Sequence, residues 1–156
     1  DISITIEHED DVDSGQVQLW PEKLALVCAP DYRAGGAVLS DPDQLPAARL
    51  IHILGRPVYW EMAAKALGEK ALELKGGFQT NSSNTALELA VNGLGCAVVP
   101  KSLVKKYADQ GLLAEPFDLD LPCPWSYYAR FKDKSATPSV KQFKAWLLQK
   151  AREMEL

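Results

Sequence analysis

A chain of 156 residues, 47% hydrophobic and 24% charged, is long enough to bury one substantial core or two small lobes. Its formal net charge of -4 and isoelectric point near 5.2 argue against binding nucleic acid through its own field. No apolar run approaches the roughly 18 residues of a membrane span, and the opening Asp1-Ile2-Ser3-Ile4-Thr5-Ile6 has neither the basic nor the apolar part of a signal peptide. The chain starts without Met, inside a strand-like alternation, which suggests a piece of a longer protein.

Taken in order, Ile2, Ile4 and Ile6 alternate with Ser3, Thr5 and Glu7 and predict a half-buried strand. Glu7 to Gly15 reads as a solvated acidic turn. Asp11, Asp13 and Glu22 invite a calcium-loop reading, but Gln16 stands where that loop needs glycine, and Leu19 and Trp20 interrupt it. Leu19 to Pro30 predicts a turn and then a buried strand stopped by proline. Residues 31–49, with several Pro, Gly and Asp, read as loop. Leu50 to Leu54 predicts a short strand, and Pro57 to Gly68 a helix with Trp60, Ala63, Ala64 and Leu67 on one face and Glu61 and Lys65 outside. A strand is expected over Ala71 to Leu74.

Phe78 to Pro100 is the most informative stretch. It reads as a polar loop, a helix, a glycine stop and a buried strand. Thr80 to Thr85 is an unbroken run of hydroxyl and amide side chains. Leu87, Ala90, Val91 and Leu94 then follow at the spacing of one helix face. Ser82, Ser83 or Thr85 can serve as N-cap, Thr85 and Glu88 fit a capping box, and Gly93 or Gly95 can take the left-handed position after the helix. Open first-turn N–H groups and the helix macrodipole make such a start a natural seat for a carboxylate or phosphate. The plainer reading is an ordinary capped helix that binds nothing.

Lys101 to Ala108 predicts a further helix with Leu103, Val104 and Tyr107 inward, ended by Gly111. Leu112 to Ala114 reads as a short edge strand, residues 115–124 as loop, and Trp125 to Phe131 as an alternating strand. The last helix is expected to start at Thr137 and Pro138 and to bury Val140, Phe143, Leu147 and Met154. Strands alternating with helices predict an α/β domain with a mainly parallel sheet.

Catalytic chemistry is not visible. There is no glycine-rich nucleotide motif, nucleophile elbow or zinc-protease motif, and no nucleophile–base pair emerges from local spacing. His8 lies in the acidic segment, and His52, in an apolar strand, reads as a hydrogen-bonded core histidine. Lys101, Lys105 and Lys106 read as a solvated helix face. Of Tyr127 and Tyr128, one can line a cleft while the other packs in the core, because strand neighbours face opposite ways. Cys28, Cys96 and Cys123 are too far apart in sequence for a zinc motif and read as buried reduced thiols of a cytoplasmic protein. No cofactor and no metal are expected.

Three segments resemble the effector-binding (regulatory) domain of LysR-type transcriptional regulators. They are Asp1 to Ile4 with Leu19 to Tyr32, Thr85 to Pro100, and Tyr127-Tyr128 with Pro138 and Phe143 to Leu147. The chain looks most like the glycine-cleavage-activator and β-lactamase-regulator branch, on Trp60 and the Ser82–Ser83 loop, although Ala63 stands where that branch has a second tryptophan. The resemblance implies an α/β, type 2 periplasmic-binding-protein-like fold of two lobes joined by two crossovers, Leu24 to Pro30 and Pro124 to Phe131. On that mapping 1–31 and 124–156 form lobe I and 32–123 form lobe II. Lobe I is incomplete, because the family's first two strand–helix units have no counterpart.

The implied effector contacts are Thr80, Asn81, Ser82 and Ser83 from the loop before the lobe II helix, Tyr127 on the return crossover, and Glu7 and His8 at the end of the first strand. The implied role is sensing without catalysis. A small effector would bind between the lobes of a homodimer or homotetramer in the cytoplasm, with no membrane. DNA would be reached only through an N-terminal helix-turn-helix absent from this chain. A solute-binding protein for transport shares the fold and is the main alternative; an enzyme of the same fold is a second.

Overall fold

The computed structural model describes residues 2–68, 76–132 and 137–154. In chain order its strands are β1 (Ile2–His8), β2 (Gln16–Trp20), β3 (Lys23–Val27), β4 (Arg33–Ala34), β5 (Ala37–Val38), β6 (Leu50–Ile53), β7 (Phe78–Thr80), β8 (Cys96–Pro100), β9 (Leu121–Pro122) and β10 (Trp125–Phe131). The α-helices are α1 (Val58–Ala66), α2 (Ser83–Val91), α3 (Lys101–Asp109) and α4 (Pro138–Glu153). The chain divides into two compact units, Asp1–Glu22 with Pro122–Leu156, and Lys23–Leu121.

The first unit is built on an antiparallel sheet of order β1-β10-β2. β1 pairs with β10 along its whole length, from Ile2 opposite Phe131 to His8 opposite Trp125. Leu19, Ala129 and Ala151 are buried at its centre, with Trp20, Tyr127, Phe131, Leu147 and Leu148 packed against them. Helix α4 starts as expected: Pro138 occupies its first turn, and the Thr137 hydroxyl accepts from the Val140 N–H at 3.4 Å.

Its buried face differs from the expected one. Lys144, Leu147, Leu148 and Ala151 carry it, whereas Phe143 and Met154 are exposed. Met154 is the C-cap residue beyond the last turn, and Phe143 stacks on exposed Trp146 with ring centres 5.5 Å apart. Nor is β1 half-buried as its alternation suggests. It is an outer strand, α4 packs on β2 at the opposite edge of the sheet, and Ile4 and Ile6 are 48% and 53% exposed. β2 itself was not expected.

The second unit carries a five-stranded sheet of order β7-β6-β8-β3-β9. β6 runs parallel to β7 and to β8, while β3 is antiparallel to β8. The sheet is therefore mixed rather than mainly parallel. Only the strands joined through helices, β6-α1-β7-α2-β8, are parallel, because parallel neighbours need a long crossover between them. Leu24, Leu26, Ile51, Leu87, Val98, Val99 and Val104 are fully buried around this sheet. The Trp60 indole N–H donates to the Ile51 carbonyl at 2.9 Å and fastens α1 to β6.

The supposed loop 31–49 is structured. β4 and β5 form a hairpin through Gly35 and Gly36, whose φ values of 60° and 89° suit a two-residue turn that twists with its strands. A 3-10 helix over Pro42–Ala47 follows, with a capping box between Asp41 and Gln44. Conversely, Leu112 to Ala114 contributes only an isolated bridge, Cys28 to Ala114, and β9 lies inside the expected 115–124 loop. The strand expected over 71–74 lies outside the described residues.

Candidate functional site

In the second unit each parallel strand leads directly into a helix: β6 into α1, β7 into α2 and β8 into α3. The three helices therefore begin at one edge of the sheet, beyond the carboxyl ends of its parallel strands, where open α/β sheets place their ligands. The N-cap residues are Pro57, Ser82 and Pro100, and none of them makes a side-chain capping bond. The Tyr59 N–H in the first turn of α1 bonds the Arg56 carbonyl at 3.2 Å, and the helix dipoles add partial positive charge at all three starts. Glu61 is the one acidic side chain in the three first turns. Arg56, just before α1, and Lys101, the first residue of α3, add basic groups. Sequence reasoning did not select Arg56. Its signal was a basic residue set between a strand and a helix start.

The polar run before α2 is held by local bonds. Thr80 is buried at the end of β7, and its carbonyl accepts from the Leu54 N–H at 2.8 Å. The Thr80 hydroxyl accepts from the Ser82 N–H at 3.3 Å, so Thr80 shapes the turn. Asn81 is exposed and Ser82 and Ser83 are half-buried. Ser82 is the N-cap by backbone geometry, with φ -139° and ψ 131°, yet its hydroxyl is not spent on capping.

The expected Thr85–Glu88 capping box does not form. Thr85 lies inside the helix, and a Glu88 carboxylate oxygen accepts from the Tyr107 hydroxyl at 2.9 Å, tying α3 to α2. That neighbouring carboxylate raises the Tyr107 pKa by disfavouring the phenolate. At the other end the glycines divide their tasks. Gly93 takes φ 69°, with Gly93 N–H to Ala90 O and Leu94 N–H to Leu89 O, both at 3.0 Å, which is a Schellman ending. A Cβ on Gly95 would lie 2.3 Å from the Arg49 carbonyl oxygen, so Gly95 permits a close backbone approach to β6.

The candidate residues of the first unit lie on neighbouring strands. By register, His8, Trp125, Ile6 and Tyr127 share one face of the β1–β10 ladder, and Glu7 lies on the other with Ser126. The His8 ring meets Trp125 edge-on at 4.7 Å, and its Nδ1 accepts from the Asp10 N–H at 3.2 Å. Tyr127 packs on Trp20 with ring centres 4.9 Å apart. Tyr128 is the buried member of the tyrosine pair, and burial raises its pKa.

His52 differs from expectation: its Nε2 is buried without a hydrogen-bond partner, and the ring stands 6.2 Å from Trp60. Lys105 and Lys106 are exposed as expected, while Lys101 pairs with Glu115 at 3.2 Å. Among the described residues no group of His, Cys, Asp and Glu could hold a metal ion, and no helix is long and apolar enough to cross a membrane.

The fold and this site define an α/β domain suited to a small ligand at the carboxyl edge of its sheet. The profile of the LysR substrate binding domain matches residues 1–152, and the chain belongs to that family. It is 30% identical over 130 residues to the HTH-type transcriptional activator AmpR of Rhodobacter capsulatus, covering 83% of this chain and 43% of that protein. It is 27% identical over 135 residues to the glycine cleavage system transcriptional activator of Escherichia coli strain K12, covering 86% and 44%. The chain thus spans less than half the length of these relatives. Among solved structures, the effector domain of AmpR from Pseudomonas aeruginosa superposes with a TM-score of 0.76 at 22% identity, over 98% of this chain and 73% of that one. The type 2 periplasmic-binding-protein-like fold and the branch suggested by Trp60 and the serine loop are both supported by these likenesses.

Proposed function

We propose that this domain senses a small carboxylate-bearing effector at Thr80, Asn81, Ser82 and Ser83, and so sets the activity of a LysR-type transcriptional regulator. The observation that carries the reading is the convergence of three helix starts without side-chain caps at one sheet edge, in a member of a substrate binding family. A carboxylate there accepts from the open N–H groups at the start of α2 and from the Ser82 and Ser83 hydroxyls. Glu7, His8 and Tyr127 are proposed as further effector contacts, carried over from the family resemblance.

In the whole regulator a helix-turn-helix would contact DNA, and homodimers or homotetramers would carry the signal in the cytoplasm. The effector acts only so far as it binds one conformation better than another. Both relatives described above are transcriptional activators by name, which favours regulation over transport or catalysis. Titration calorimetry of the 156-residue chain with small carboxylic acids and amino acids tests the site. Ser82→Ala and Ser83→Ala weaken the bound acid on this reading, and unchanged affinity in both variants moves the site elsewhere.

A further inference from the structure

We propose that Cys28 and Cys96 form an intramolecular disulfide across β3 and β8 when the protein meets a peroxide. The ladder between these strands pairs Leu24 with Pro100 and Val27 with Ala97, and one more step in the same register sets Cys28 opposite Cys96. Their backbone groups face away from each other. The Cys28 N–H and carbonyl bond to Ala114 at 3.1 and 2.9 Å, and the Cys96 N–H bonds to the Arg49 carbonyl at 2.9 Å. Cys28 and Cys96 therefore form a non-hydrogen-bonded antiparallel pair, the kind whose Cα atoms approach to about 4.5 Å with side chains on the same face. That spacing lies within the range a disulfide requires.

Side chains of such a pair lie on one face of the ladder, and each thiol perturbs the titration of the other. The Cys96 neighbour lowers the Cys28 pKa, and the nearness of Cys28 to a solvent-accessible cavity lined by Ala29 assigns it the role of attacking thiolate. Both are buried, at 2% and 0% exposure. Solvent nevertheless comes within one residue of Cys28, because Ala29 lines a cavity of about 480 Å³.

In the first step the Cys28 thiolate takes an oxygen from the peroxide and becomes a sulfenic acid, and for hydrogen peroxide the other oxygen leaves as water. In the second, the Cys96 sulfur attacks the Cys28 sulfur, its proton goes to the departing oxygen, and a second water leaves. Two S–H bonds are lost, one S–S bond forms, and two electrons pass to the peroxide. Cys123 is buried in the other unit of the chain and takes no part.

The inference is independent of the effector site. Its test is the reduced wild-type chain treated with hydrogen peroxide, alkylated in denaturant, digested and mapped by mass spectrometry. The expected result is loss of two hydrogens from the intact mass, a peptide linked through Cys28 and Cys96 in most molecules, and Cys123 fully alkylated. Cys123→Ser keeps the link and Cys28→Ala abolishes it. Recovery of both Cys28 and Cys96 alkylated, a link through Cys123, or over-oxidation of Cys28 without a link overturns the proposal.

Discussion

The two units spend their apolar residues differently. In Lys23–Leu121, large side chains such as Leu24, Leu26, Ile51 and Leu87 are fully buried. In Asp1–Glu22 with Pro122–Leu156, the buried cluster is Leu19, Ala129 and Ala151, while Ile4, Ile6, Val17, Phe143 and Trp146 stay exposed. Stability is therefore concentrated in the unit whose sheet edge carries the candidate site. A site built on uncapped helix starts needs such a frame, since its backbone donors must hold their positions.

The largest expected effect separates the units directly. Leu26→Ala removes a fully buried side chain of the second unit and costs about 2–5 kcal/mol in urea unfolding. Trp146→Ala, on the exposed face of α4, loses only its stacking on Phe143, about 0.5–1.5 kcal/mol. Equal costs would break the comparison. Next come the two glycines after α2. Gly95→Ala drives a Cβ against the Arg49 carbonyl and costs about 1–3 kcal/mol. Gly93→Ala must hold a left-handed backbone in open space, at about 1–2 kcal/mol. Thermal melts that rank Gly93→Ala above Gly95→Ala would count against a tightly packed β6–β8 edge.

Thr80→Val removes the acceptor for the Ser82 N–H and costs about 1 kcal/mol of stability. It weakens effector binding as well, because the turn before α2 loses its shape. The smallest effect belongs to the first unit. The Arg130 guanidinium hydrogen-bonds Asp13 and lowers its pKa, with further help from the Gly15 N–H. A lowered carboxyl pKa contributes stability above its unfolded value, near 3.9. That contribution is lost as the pH falls through the folded value. Asp13→Asn should be slightly less stable than wild type at pH 7, and the gap should narrow as the pH falls below the unfolded value near 3.9, as urea midpoints over an acid series will read.

Local patterns carried most of the fold. Helix α2 was legible because Leu87, Ala90, Val91 and Leu94 repeat at a helical spacing, and its glycine stop because only a left-handed residue ends a helix that way. The hairpin through Gly35 and Gly36 had a visible signal that the surrounding prolines and aspartates masked. β2 was hidden for a different reason: Tyr127 to Arg130, its partners in the sheet, lie more than a hundred residues along the chain. The exposure of Phe143 and Ile4 depends on which face a neighbour covers, and periodicity does not report that. At the candidate site, the hydroxyl run was legible. The gathering of three helix starts was not, because sheet order creates it, and neither was the unused Ser82 cap, which a side-chain rotamer decides.

The most direct test is amide NMR of the chain, titrated with the acid that calorimetry selects. The account predicts that the largest shifts fall on Ser82, Ser83, Asn84 and Thr85, with smaller ones at Arg56 and Lys101. Shifts confined to residues away from these helix starts, or unchanged amides at Ser83 and Asn84 under saturating acid, would contradict it.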